Sequence, residues 1–381
     1  MAARSTSASA AADIVFMRQA LKLAARAYGE TSPNPLVGAV LVRKGAVIGR
    51  GWHRRAGQPH AEIEALRDAA KRGHSPKGAT LYVTLEPCST HGRTPPCTAA
   101  IIAAGIKRVV VAATDPNPSH EGHGFDLLRN KGIQVVSRIC DQEAVGMNEA
   151  FNHWIVRRTP FVTVKAAMTL DGKIATAGGE SKWITGERSR AHAMKLRRGA
   201  DAILVGVNTV LADDPSLTIR HPASGIRHRS TKLLRRIVLD SRARTPISAK
   251  VVSDDAAALT TVVVTEAAPK RRAAALAKHV SVVTAPVRDG RIDLRWLLEL
   301  LGQQSVTGLL VEGGGEVNAS FLEQRLAHRV AFFYAPKILG GAKSLKGVAG
   351  DGATERAGIL NLRDVKWRRS GPDLLLSARC D

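Results

Sequence analysis

The sequence predicts an α/β protein of two domains. Three features carry that prediction: the length, an alternation of strand-like and helix-like segments, and a break near Pro160 after which the alternation starts afresh. At 381 residues the chain exceeds one average domain, and each half is long enough to bury its own core.

In the first half, residues 14–28 (IVFMRQALKLAARAY) carry apolar side chains at helical spacing. A turn rich in Pro and Asn follows, from Thr31 to Pro35. Strand-like runs over 36–42 and 46–49 flank Lys44-Gly45, which predicts a hairpin. The spacing then predicts helix over 60–72, strand over 80–85, helix over 98–104 and strand over 108–113. A short helix over 125–131, ended by Gly132, and a strand over 134–137 complete the alternation. Residues 141–158 read as one helix closing at Arg157-Arg158-Thr159-Pro160. The second half is a fresh α/β set. Strands are predicted over 161–168, 202–207, 236–240, 261–265, 280–283, 308–311 and 330–334, and helices over 187–198, 270–278, 294–301 and 316–324. The expected division is a disordered tail over 1–12, Ala/Ser-rich and without an acid, a first domain over 13–157 and a second over 158–381.

Composition narrows the setting. No apolar run approaches the roughly 20 residues of a membrane helix, so a soluble protein is expected. The four cysteines (Cys88, Cys97, Cys140, Cys380) are too few for a disulfide framework in a chain this long. They suit a reducing, cytoplasmic compartment, where paired cysteines bind metal or do chemistry. The formal net charge of +23 points to anionic partners: nucleic acid, a membrane surface or phosphorylated small molecules. The basic residues lie in short clusters such as Lys195-Leu196-Arg197-Arg198 and Lys270-Arg271-Arg272, each of which also reads as a solvated face.

The strongest chemical signal is a dispersed His–Cys–Cys set. His60-Ala61-Glu62 opens a predicted helix, Pro87-Cys88 follows a strand, and Cys97 stands just before another helix. Zinc takes nitrogen and thiolate donors tetrahedrally, and three protein donors leave one position for a water whose pKa the metal lowers. A helix N-terminus favours the thiolate form. Glu62, two residues from His60, is placed to carry the proton from water to a leaving amine. The pattern is that of zinc deaminases acting on heterocycles, except that eight residues, rather than two, separate Cys88 from Cys97. A structural zinc site with His91 as fourth donor, a nucleic-acid-editing deaminase and a basic binding protein remain as alternatives at this point.

A second cluster has another character. Gly313-Gly314-Gly315 joins a predicted strand to a predicted helix, a turn in which backbone N–H groups can approach phosphate. It is not the G-x-G-x-x-G pattern. Lys165 is a charge inside an otherwise apolar strand, readable either as an edge or outward-facing residue or as a site residue.

Longer motifs resolve the alternatives. Pro33-Asn34-Pro35-Leu36-Val37-Gly38, His60-Ala61-Glu62, the run from Thr84 through Glu86-Pro87-Cys88 to Cys97, and Asp115-Pro116-Asn117-Pro118 together resemble the bifunctional deaminase–reductases of riboflavin biosynthesis. The resemblance continues through Asp171-Gly172-Lys173, Trp183-Ile184-Thr185, the run from Leu211 to Thr218, Val311-Glu312-Gly313-Gly314 and Ala335-Pro336-Lys337-Ile338-Leu339-Gly340. It implies a cytidine-deaminase-like three-layer domain followed by a dihydrofolate-reductase-like domain. The implied reactions are zinc-dependent deamination of 2,5-diamino-6-ribosylamino-4(3H)-pyrimidinone 5′-phosphate, then NADPH-dependent reduction of the ribosyl group to ribityl. By matching motif, His60, Cys88 and Cys97 hold zinc and Glu62 is the proton donor, while Asn34, His53, Arg93, Asp115 and Asn117 contact the deaminase substrate. Lys165, Ser181, Arg197, Leu217, Arg220 and Glu312 are implied to contact the reductase substrate. Ala167, Trp183, Thr209, Asp213, Ser241, Gly314, Gly315, Glu316, Val317, Asn318, Ala319 and Ser320 are implied to line the NADPH site. The expected partners are a phosphorylated pyrimidine, NADPH and further copies of the chain, with no nucleic acid or membrane partner.

Overall fold

The computed structural model describes residues 2–91, 95–118, 120–219 and 233–380. It divides into two compact units, Met1–Arg158 and Thr159–Asp381. Arg93 and Arg220 lie outside the described residues. Among the described residues, no helix is long and apolar enough to cross a membrane.

The first unit runs α1 (Ala2–Ala24), β1 (Gly38–Arg43), β2 (Ala46–Trp52), α2 (Ala61–Lys71), β3 (Thr80–Leu85), α3 (Cys97–Ala103), β4 (Arg108–Ala113), α4 (His123–Asn130), β5 (Gln134–Val136), α5 (Asp141–Met147) and α6 (Glu149–Arg157). Its sheet has the order β2-β1-β3-β4-β5. The hairpin partners β1 and β2 are antiparallel, as are β1 and β3, whereas β3, β4 and β5 run parallel. The parallel strands are continuous apolar runs because both faces are covered. One face of the sheet meets Ala61, Ala65, Ile101, Phe125 and Leu128 from α2, α3 and α4. The other meets Met17, Ala20 and Leu21 from α1 and Ala144 from α5. The result is three layers with helices α2 and α3 held against the sheet. Close approach of α2 requires glycine in β2: a Cβ on Gly51 would lie 2.2 Å from the Ala61 carbonyl oxygen.

Two segments differ from the sequence-based expectation. The first helix starts at Ala2, so the residues expected to form a tail are helical backbone from Ala2 onward. Alanine favours helix without making an apolar stripe, which is why periodicity registers only the part from residue 14. The expected single helix over 141–158 is two, broken at Asn148. The buried Asn148 amide accepts from Leu36 N at 2.8 Å and donates to Leu36 O at 3.0 Å, a contact no local pattern encodes.

The first helix is anchored by a charge cluster. Asp13, buried, accepts from the Tyr82 hydroxyl at 2.9 Å and from both terminal nitrogens of Arg108 at 2.8 and 2.7 Å. Burial alone would raise the Asp13 carboxyl, but the hydrogen bonds from Arg108 and Tyr82 outweigh it and hold the pKa below the ordinary aspartate value. A carboxyl depressed on folding contributes stability that is full above its unfolded pKa and is lost as pH falls through the folded one. Asp13→Asn is therefore expected to destabilise the first unit at neutral pH by about 3 kcal/mol, as breaking a buried pair does, and by less at pH 3, below the ordinary aspartate pKa. Urea unfolding at the two pH values checks this; an equal loss at both would remove the ion pair from the explanation.

The second unit contains β6 (Phe161–Thr169), β7 (Lys173–Ala175), α7 (Glu187–Gly199), β8 (Ala202–Gly206), α8 (Val207–Asp213), β9 (Arg235–Leu239) and α9 (Lys250–Ser253). It continues with β10 (Thr260–Val264), α10 (Lys270–Ala277), β11 (Ser281–Thr284), β12 (Val287–Arg288), β13 (Arg291–Ile292), α11 (Leu294–Gln303) and β14 (Gly308–Val311). The last elements are α12 (Gly315–Glu323), β15 (Arg329–Ala335), β16 (Leu345–Lys346), β17 (Arg363–Ser370) and β18 (Asp373–Arg379). Nine strands form one sheet in the order β11-β10-β9-β8-β14-β6-β15-β18-β17. The strands from β11 to β15 are parallel; β18 and β17 add antiparallel. Pattern reading missed this terminal hairpin because β17 (RDVKWRRS) is exposed at nearly every position and so shows no apolar alternation. Helix α8 was also missed, being only seven residues long directly after a strand.

Candidate active sites

In the first unit the three donors arrive from separate elements. His60 is the residue immediately before α2, Cys88 follows β3, and Cys97 is the first residue of α3. Their ligand atoms all lie within 4.8 Å of one another, and among the described residues no fourth donor joins the cluster. Nδ1 of His60 is 3.6 Å from Sγ of Cys88 and 3.3 Å from Sγ of Cys97. The Cys97 backbone N–H donates to Sγ of Cys88 at 3.3 Å, so the start of α3 stabilises negative charge there. The hydrogen bond between the two thiols pulls Cys88 well below an ordinary thiol and pushes Cys97 up. A divalent cation replacing that shared proton would take both as thiolates. One nitrogen and two sulfurs in this compass suit zinc with a position left for water.

Glu62 lies in the first turn of α2 and is buried, close enough to His60 and Cys97 to interact with both. Burial pushes its carboxyl above the usual glutamate value, the direction that favours a proton carrier at neutral pH. His53, also buried, donates from Nδ1 to the Pro59 carbonyl at 3.1 Å, which leaves Nε2 to accept from the Asn34 amide at 3.1 Å. Burial lowers the His53 pKa, consistent with this neutral tautomer. Asp115 accepts from the Asn117 backbone N–H at 2.9 Å, and burial raises its carboxyl. The structure thus pairs Asn34 with His53 and Asp115 with Asn117.

In the second unit the centre is Glu312, just beyond β14. It is bound by Arg197 of α7 through Nε at 2.8 Å and Nη2 at 3.0 Å, and by Nζ of Lys165 at 3.4 Å. Arg197 also donates to the Thr218 carbonyl at 2.9 Å. Burial opposes ionisation of Glu312, but the two cations prevail and hold its pKa at about 2. Lys165 is therefore no edge residue: its strand β6 lies between β14 and β15. Leu217, buried, adopts φ +51°, and Ser181 donates to Asp213 at 2.9 Å.

The glycine turn sits where parallel strands end. Gly314 precedes α12 and Gly315 begins it, and the first N–H groups of a helix are unpaired donors suited to phosphate. A Cβ on Gly314 would lie 3.8 Å from Oγ1 of Thr209, so α8 and the turn converge, and Val317 fills the space beside Gly206 and Gly313. This cradle fits a dinucleotide phosphate. Other members of the predicted set have these surroundings within the second unit. Asn318 donates to the Gly347 carbonyl at 2.8 Å, Ala319 is buried, and Ser320 bonds the Glu316 carbonyl at 2.9 Å. Ala167 pairs in register with Phe333, and the Ser241 carbonyl accepts from Thr265. Trp183 is largely exposed, with Arg190 4.9 Å over its ring.

The cytidine and deoxycytidylate deaminase zinc-binding region matches residues 11–113, and the RibD C-terminal domain matches 160–376. The riboflavin biosynthesis protein RibD of Aquifex aeolicus is 45% identical over 361 residues, 95% of this chain and 96% of that protein. This chain belongs to the RibD family. The RibD of Escherichia coli is 37% identical over 376 residues, 96% of this chain and 98% of its own. An Acinetobacter baumannii RibD structure superposes with a TM-score of 0.85 at 35% identity, covering 98% of this chain and 99% of that one. The diaminohydroxyphosphoribosylaminopyrimidine deaminase/5-amino-6-(5-phosphoribosylamino)uracil reductase of Thermotoga maritima gives 0.81 at 34% identity, covering 98% and 99%. As a member of that family, the chain is a bifunctional enzyme of riboflavin biosynthesis, with a zinc-dependent deaminase and an NADPH-dependent reductase.

One residue of the first unit escaped sequence reasoning as a functional group. Glu86 was visible only as part of the motif around Cys88, yet its carboxylate is buried and gathers three backbone N–H groups.

Proposed function

We propose that the deaminase, over 13–157, acts on 2,5-diamino-6-ribosylamino-4(3H)-pyrimidinone 5′-phosphate, and that the reductase, over 158–381, converts the ribosyl group of its product to ribityl. The observation that carries the reading is a buried Glu62 carboxyl beside a three-donor metal cluster. The activities named for the Thermotoga relative support the substrate.

When bound, zinc supplies the Lewis acidity that makes water nucleophilic near neutral pH. Glu62 accepts the proton of the attacking water and delivers it to the departing amine. Asn34, oriented by His53, and Asp115 with Asn117 hold the pyrimidine edge, and Arg93 meets the phosphate. In the second unit NADPH supplies hydride. The backbone at Gly314 and Gly315 and the side chains of Thr209, Trp183, Asp213 and Ser241 receive the cofactor. Lys165, Ser181, Leu217, Arg197, Arg220 and Glu312 orient the sugar phosphate, the arginines by charge-assisted bonds.

The same reading has the enzyme cytoplasmic, where its four free cysteines stay reduced, and homo-oligomeric. Exposed Val365, Trp367 and Leu374 on the terminal hairpin support self-association. Incubating the purified chain with the ribotide tests the activities. Without NADPH, ammonia and the deaminated product should appear; adding NADPH should yield the ribityl compound. Absence of ammonia in both mixtures would reject the reading.

A further inference from the structure

We infer that Glu86 is the positioning residue of the deaminase site: its carboxylate fastens the segment bearing Asp115 and Asn117, and the start of α4, to the segment bearing Cys88. The inference rests on the proposed substrate roles of Asp115 and Asn117.

Glu86 leaves β3 two residues before Cys88, with its own N–H donated to the Ala113 carbonyl at 2.9 Å. Its Oε2 accepts from Asp115 N at 3.3 Å and Gly122 N at 3.1 Å, and its Oε1 accepts from Gly124 N at 2.9 Å. Helix α4 needs such a partner. The residue preceding it, Gly122, has φ +79° and no side chain to cap the free N–H groups. Glu86 supplies the cap from 36 residues upstream, with a negative charge at the positive end of the helix. The fit is tight, because a Cβ on Gly124 would lie 2.4 Å from the Pro87 carbonyl oxygen and 3.1 Å from Oε1 of Glu86.

The geometry joins two parts of one site. Cys88 and Asp115 follow neighbouring parallel strands, β3 and β4. Strand pairing stops at Leu85 opposite Ala113, and beyond that point the two segments are joined by the Glu86 backbone N–H and carboxylate, together with an exposed contact of Thr90 Oγ1 with the His120 ring at 3.3 Å. A buried acid with three backbone donors is also self-sufficient: it needs no counter-ion.

Glu86→Gln preserves shape but turns one acceptor into a donor, which removes at least one charge-assisted bond. The expected result is a rise of about ten- to a hundred-fold in KM for the ribotide, with a smaller change in kcat. Zinc should remain at one per chain and reductase kinetics should be unchanged. Amide exchange at Gly122 and Gly124 should accelerate while α2 stays protected. Should Glu86→Gln fail to fold, Glu86→Asp keeps the charge but shortens the reach, and must also raise KM with zinc retained. Wild-type KM in either folded variant, or loss of zinc in step with KM, overturns the inference. Asn117→Ala separates it from the substrate reading. If that variant raises KM and Glu86→Gln does not, only the positioning role fails; if Asn117→Ala has no effect, the substrate assignment fails.

Discussion

Glu62→Gln should keep its zinc and its reductase activity while deamination falls by about 10²–10⁴-fold. Glutamine occupies nearly the same volume and leaves His60, Cys88 and Cys97 untouched, so the metal count should stay at one. What is lost is the only feature that lets this side chain move a proton. Burial holds the Glu62 carboxyl above its ordinary pKa, and that has a second consequence. An acid whose pKa is raised on folding weakens the fold as pH rises above its unfolded value. In metal-free protein the Gln variant should therefore be at least as stable as wild type at pH 7, with the advantage fading towards pH 4. Ammonia release, zinc content and thermal unfolding after chelation measure the three quantities. A variant that retains zinc and releases ammonia at the wild-type rate would remove Glu62 from the mechanism.

The second large effect is expected at Glu312. Its carboxylate balances Arg197 and Lys165 at once, all three being mostly buried. Glu312→Gln would leave two cations without compensation, a cost of about 3–5 kcal/mol for a broken buried pair. Reductase kcat/KM should drop by about 10²-fold or more, since small displacements of an orienting group have effects of that order. Ammonia release by the deaminase should continue. The pH dependence has a definite sign. The folded pKa of about 2 lies below the ordinary 4.5, so the stabilisation is complete above about pH 4.5 and disappears as pH falls towards 2. The shift corresponds to about 3 kcal/mol. Wild type and variant should thus converge in urea stability on acidification; a difference that stays constant from pH 7 to pH 3 would show that the ion triad is not its source.

Legibility in the sequence followed the range of the interaction. The zinc donors were readable because each stands at the edge of a helix or strand whose periodicity is local, and because His and Cys have few roles in that combination. Lys165 was readable as an anomaly, a charge in an apolar strand, but its partner was not: Glu312 and Arg197 come from β14's end and α7, 147 and 32 positions away in the chain. The exposed strand β17 and the alanine-rich start of α1 were illegible for the opposite reason, since neither buries a stripe that periodicity can register.

By itself the sequence determined the two-domain α/β plan and the chemistry of the metal site, and it pointed to Glu62 as the expected proton carrier. These depend on local periodicity and on which side chains can bind zinc or move protons. Only the tertiary structure decided how acidic residues that look alike in sequence come to differ. Asp13 and Glu312 are held ionised by arginines from distant elements, Glu62 is raised by burial, and Glu86 is spent on backbone N–H groups of a helix far downstream. A carboxylate's function is set by its desolvation and its donors, and in a folded chain both are supplied by segments remote in sequence.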